Sequence, residues 1–146
     1  MVDPYHLQRF VDAQSRVYDG VTAELRDGRK ATHWMWFVFP QLTGLGRTPT
    51  AQHFGIASLD EARAYLAHPL LGGRLRECVR LLGDYPGQRS VTAILGSTDA
   101  LKLRSSMTLF LRASEAPADR DLFTVVLNRY YGGEPDPLTL EMLSEG

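Results

Sequence analysis

An all-α, single-domain fold is the class this sequence predicts, and three observations carry it. Apolar residues recur at spacings of three and four through most of the chain. Nearly every such stretch ends at glycine or proline. Ser, Asp or an Asp-Pro pair stands at the start of several of them, where a helix needs a cap. The 146 residues match the size of one domain, and neither a repeat period nor a linker-like stretch divides residues 1–146. About seven or eight short helices are therefore expected around one core.

The first helix is expected from about residue 4 to 27. Asp3 caps it, Pro4 takes the first position, and Leu7, Phe10, Val11, Gln14, Val17, Tyr18, Val21 and Leu25 form one stripe. A bend is placed at Gly20 and the stop at Gly28. Residues 33–39, His-Trp-Met-Trp-Phe-Val-Phe, are apolar on all sides. Their aromatic and β-branched content favours a buried strand, while a buried short helix reads the same way. Pro40, Gly44, Gly46 and Pro49 make residues 40–50 a loop.

Ser58-Leu59-Asp60-Glu61 has the form of a capping box and opens a helix through Ala67, broken by His68-Pro69. Leu71, Leu75, Cys78, Val79 and Leu82 define the next, ending near Gly83. Ser90 to Leu95 is a short turn of helix closed by Gly96, and Ser97 caps a longer one through Leu101, Met107 and Leu111. Asp119 caps a helix carrying Leu122, Val125, Val126 and Tyr130 and stopped by Gly132-Gly133. Asp136-Pro137 opens the last.

Composition narrows the function classes. With 44% apolar and 23% charged residues and a net charge of −1, the chain is globular and has no field to recruit a polyanion. Its 16 basic residues are interspersed with 17 acidic ones, so nucleic acid is disfavoured. Only Lys30 and Lys102 are lysines; arginine supplies the remaining positive charge, and an arginine cluster could serve an anionic ligand. The single Cys78 forms no internal disulfide and reads as a buried structural thiol in a reducing compartment. No signal peptide and no membrane-spanning run is visible, so the expected location is cytoplasmic and the expected state a monomer.

An ordered set of uncommon words runs along the chain. They include Phe10, Ala13-Gln14 and Tyr18, His33-Trp34-Met35-Trp36-Phe37, Phe39-Pro40-Gln41 and Gly44-Leu45-Gly46. They continue through Glu61-Ala62, Tyr65-Leu66-x-His68-Pro69, Leu71-Gly72-x-Arg74-Leu75, and Asp99-x-x-Lys102-Leu103-x-Ser105-Ser106-Met107-Thr108-Leu109-Phe110. The tail adds Val126-Leu127, Tyr130-Tyr131, Gly133 and Asp136. On these words the chain resembles, over nearly its whole length, a bacterial family of small proteins of unknown function often mislabelled calpastatin. The resemblance implies a mainly α-helical fold and supplies no activity, substrate or catalytic residue. Calpain inhibitors are disordered segments, which this composition is not. The order of words is also similar to that of small helical proteins that process ADP-ribosylated nucleotides, an analogy of fold at best.

Two segments are the candidate site. The aromatic stretch His33 to Gln41 packs Trp34, Trp36, Phe37 and Phe39 beside an imidazole and a carboxamide. Such aromatics usually serve a core, yet aromatic walls with a few polar groups also describe a pocket that stacks a flat ring. Asp99-x-x-Lys102-x-x-Ser105-Ser106 places its polar groups along one helix side, as an i,i+3 ion pair on a solvated face or as a ligand site. Candidate catalytic groups are His33, Asp99 and Lys102; candidate binding residues are Trp36, Gln41, Ser105 and Ser106. His6, His33, His53 and His68 lack metal-site spacing, so no metal and no cofactor is expected, and His68 is expected at a helix terminus. Dinucleotide, phosphate-loop and nucleophile-elbow motifs are absent.

Binding or processing of a nucleotide-like small molecule is the leading functional expectation. Aromatics would stack its base, Lys102 or an arginine would hold phosphate, and Asp99 or His33 would move protons. A non-enzymatic interaction module docking a protein through residues 33–41 is the rival. A third reading gives every one of these residues to the core.

Overall fold

The computed structural model describes residues 3–145. It is built of ten helices among those residues: α1 Gln8–Ser15, α2 Tyr18–Asp27, α3 Met35–Val38, α4 Pro49–Phe54, α5 Leu59–Ala67, α6 Leu71–Gly83, α7 Val91–Leu95, α8 Ser97–Ala113, α9 Pro117–Tyr131 and α10 Pro137–Glu145. The fold is all-α. A lone parallel bridge between Leu42 and Ile56 is the one β-type pairing among the described residues.

Helix α8 is the axis. Leu103, Met107, Leu109, Phe110 and Ala113 are all buried, and α9, α5, α7 and α10 pack around it. Helix α6 packs on α9, α5 and α2, while α1 rests on α3 and α3 on α4. Phe110 stacks on Phe123 of α9 at 6.0 Å and meets Tyr65 of α5 at 5.3 Å, so aromatic rings tie three helices at the centre.

Several local expectations need correction. The first stripe is two helices, broken at Arg16–Val17 and not at Gly20, which sits inside α2. The break lets the two halves dock on different partners, α1 on α3 and α2 on α6. Asp3 does accept from the N–H groups of Leu7 at 2.8 Å and Gln8 at 3.0 Å, but regular helix begins only at Gln8. Residues 35–38 form one turn of helix, not a strand. Phe37, Val38 and Phe39 turn back onto the carbonyls of Trp34 and Met35, and Gln14 donates to the Phe37 carbonyl at 2.6 Å, so no strand partner is needed. The loop after Pro40 ends earlier than expected, because Thr48 caps α4 through the Ala51 N–H.

Ser58 accepts from Glu61 N–H as a capping box requires, but Glu61 returns its carboxylate to Ala57 N–H and to Arg9. Ser97 and Asp119 are not caps. Gly96 precedes α8 with φ 91°, and Pro117 opens α9, leaving Asp119 in the first turn paired to Arg76 at 2.8 Å. His68 ends α5, and its Nδ1 accepts from the Leu70 and Leu71 N–H groups at the start of α6. Gly28 and Gly132 close α2 and α9 in the left-handed conformation.

Candidate functional site

Glu24 on α2 is the residue that builds the site. Its carboxylate accepts from Ala31 N–H at 2.6 Å, Thr32 N–H at 3.0 Å, Thr32 Oγ1 at 2.7 Å and the Trp34 indole Nε1 at 3.0 Å. Burial would raise this carboxyl, but those donors hold it down at about 2. The segment after α2 is thereby folded back, and Lys30 N–H donates to the Ile94 carbonyl at the end of α7 at 2.7 Å. Lys30 is delivered to the start of α8.

There both lysines of the chain meet one carboxylate. Lys30 Nζ lies 2.9 Å from Asp99 Oδ2, and Lys102 Nζ lies 3.1 Å from Asp99 Oδ1. Each ammonium also covers an indole: Lys102 stands 3.9 Å above the Trp36 ring and Lys30 stands 5.1 Å from the Trp34 ring. Lys30 keeps only 8% of its side-chain exposure, Asp99 17% and Lys102 19%. Burial pushes Asp99 up, and the two ammonium groups outweigh it, so the carboxyl sits below its ordinary range. Within the ion cluster two cations share one anion at the positive end of a 17-residue helix, and the ionised Glu24 carboxylate on the Trp34 indole adds a second negative charge nearby.

The segments that sequence spacing singled out do fold together, with Lys102 in direct contact with the Trp36 ring. Trp34 is buried in the core, and Trp36 is half-buried beneath Lys102. A Cβ on Gly46 would lie 3.1 Å from Trp36 Cη2 and 2.6 Å from the Ala51 Cβ, so the glycine loop closes on the indole edge. His33 is exposed and makes no hydrogen bond or ion pair among the described residues. Gln41 is buried, with its backbone carbonyl taken by Ile56 N–H at 2.9 Å. Ser105 donates to the Leu101 carbonyl at 3.3 Å, while Ser106, four residues beyond Lys102, is fully buried with an unpartnered hydroxyl. Five surface hollows of about 210–500 Å³ are walled by other residues; none contains Lys30, Trp36, Asp99 or Lys102.

Lys30 and Glu24 went unrecognised in the sequence as site residues. Lys30 carried a signal, being the other of two lysines; Glu24, one of many glutamates on an ordinary helix, carried none. A second polar chain joins Gln14, Tyr65, Arg74, Tyr18 and Glu77. Gln14 donates to Tyr65 Oη at 3.0 Å, Arg74 lies over the Tyr18 ring at 4.8 Å, and Tyr18 donates to Glu77. It cross-links α1, α2, α5 and α6. Cys78 sits at its end, buried, with burial pushing its thiol up to about 12.

The family profile described as a protein of unknown function (DUF1810) matches residues 4–143. The chain belongs to this family. Among solved structures, the chain is similar over nearly its whole length to the conserved hypothetical protein Rv1873 from Mycobacterium tuberculosis. The two chains are 55% identical, the match covers 97% of this chain and 99% of that one, and the TM-score is 0.92. No curated protein matches the chain. Membership in DUF1810 brings a fold and no function, so chemistry must be argued from the cluster itself.

Proposed function

We propose that the protein binds an anionic small molecule carrying a flat ring, of the nucleotide class, at the corner formed by Trp36, Lys102, Asp99 and Lys30. One observation carries this reading. Both lysines of the chain converge on a single carboxylate at the N-terminal end of α8, so two ammonium groups share Asp99 beside a half-buried indole.

The exchange this allows is simple. Asp99 remains neutralised by Lys30 when Lys102 lets go, and Lys102 can then hold a phosphate oxygen as a point charge. Moving it from the ring frees one face of Trp36 for a base to stack on. Binding is favoured over proton transfer. Asp99 is held ionised below its ordinary range, which makes it a poor acid at neutral pH, and His33 makes no hydrogen bond or ion pair to the cluster among the described residues.

The rival docking surface receives less support, because Trp34, Met35, Val38 and Phe39 are all buried. Among the described residues the exposed large apolar side chains are Val17, Leu70, Leu101, Val125 and Leu138, each on a different segment. Together with the lone buried thiol, that supports a soluble, cytoplasmic monomer. Among the described residues no helix is long and apolar enough to cross a membrane.

Thermal-shift titrations with AMP, ADP-ribose, NAD and adenosine test the reading. Stabilisation that rises with concentration for the phosphorylated compounds, is weaker for adenosine, and comes with a change in tryptophan emission that Trp36→Phe abolishes is the expected result. A flat response to all four overturns it.

A further inference from the structure

A separate surface hollow of about 440 Å³ lies between the loop joining α6 to α7, the start of α7 and the C-terminal end of α9, and its lining includes two arginines, Arg89 and Arg129, and no carboxylate. Every other hollow described above has at least one acidic residue in its wall. Neither Arg89 nor Arg129 is ion-paired among the described residues.

Arg129 is fixed before any ligand arrives. Its Nη1 donates to the Leu82 carbonyl at 3.3 Å and the Gly83 carbonyl at 2.9 Å, and its Nη2 to the Gly87 carbonyl at 2.9 Å. The Tyr85 and Tyr130 rings lie 5.7 and 5.2 Å from the guanidinium carbon. Those three carbonyls leave Nε–H without a partner among the described residues, and carbonyl dipoles do not cancel a full charge. Arg89 spends one donor, Nη2 to the Ala93 carbonyl at 3.0 Å, and keeps the others. Gln88, Ser90 and Thr92 add polar side chains to the wall.

We propose that this hollow is a binding site for a phosphate monoester with a small hydroxylated body, as in a sugar phosphate. Two guanidinium groups without an opposing carboxylate call for a dianion, which would take the remaining Arg129 Nε–H and the free donors of Arg89. A wall rich in amide and hydroxyl groups suits a polyol better than an apolar ring, and the volume is in the range of small-molecule sites. The site is independent of the Trp36 corner and stands or falls separately.

Glucose 6-phosphate, glucose and inorganic phosphate are titrated into the 15N-labelled protein at constant ionic strength, followed by backbone amides and the Arg129 Nε–H signal. The expected outcome is a saturable shift of residues 87–92 and of Arg129 Nε–H with glucose 6-phosphate, weaker binding of inorganic phosphate, and none of glucose. Arg89→Gln, with its spectrum otherwise unchanged, lowers the affinity roughly tenfold or more. Gln88→Ala, which touches no guanidinium, weakens the ester and leaves inorganic phosphate unaffected. The absence of saturable shifts at residues 87–92, equal affinity for inorganic phosphate and the ester, shifts confined to Trp36 and Lys102, or an Arg89→Gln protein that binds as tightly as the wild type would each overturn the assignment.

Discussion

Glu24 shows how much one side chain can settle. Four donors converge on it, from the backbone of Ala31 and Thr32, the Thr32 hydroxyl and the Trp34 indole. Glu24→Gln keeps the shape and removes the charge, and is expected to destabilise by about 1–3 kcal/mol in urea titrations at pH 7. The sign with pH follows from a folded pKa of about 2 against an ordinary 4.5. The stabilisation is complete above pH 4.5 and is lost as pH falls toward 2, so the variant should lose less stability than the wild type between pH 5 and 2. Asp99 gives the companion experiment. Asp99→Asn strands both Lys30 and Lys102 and is expected to cost about 2 kcal/mol, below the range for a fully buried pair because the group keeps some water. Lys102→Met leaves Lys30 in place and should cost under about 1 kcal/mol. Equal losses in the two variants would contradict the shared ion pair.

At the scale of elements, caps and breakers did most of what the sequence promised. Ser58, Ser90, Asp136 and His68 each hold the start of a helix, and Gly28 and Gly132 each end one. Gly28 serves twice. It has φ 72°, and a Cβ there would run into the Tyr85 ring packed against it. Gly28→Ala is therefore expected to cost about 1–3 kcal/mol by backbone strain, more where Tyr85 must move, and a fall in thermal midpoint measures it. Where the sequence misled, two elements competed for one stretch. Apolar residues suited to one long stripe from Leu7 to Leu25 serve two helices, because α1 and α2 have different partners. The aromatic run 33–39 carried no period to distinguish strand from turn, and Gln14, twenty-three residues upstream of Phe37, decided it.

For the whole molecule, Cys78 is a reporter already in place. Its thiol is buried, pushed up to about 12, and lies among α2 and α6 contacts. Labelling by a thiol reagent at pH 8 is expected to require global unfolding, so the free energy from labelling rates should equal that from urea denaturation. A markedly faster reaction would show that α2 opens separately from the rest.

By itself the sequence determined that this is a helical fold and where most of its helices begin and end, and it pointed to Lys102 and Trp36 as residues to follow. Local chemistry suffices for that, since caps, breakers and period act within a few residues. Only the tertiary structure decided that Lys30 joins Lys102 on Asp99, that Trp34 belongs to the core while Trp36 stays half-open, and that Arg129 and Arg89 share a hollow. Those pairings span up to some seventy residues, and the partners are chosen by how α2, α7 and α8 pack, which no spacing along the chain records.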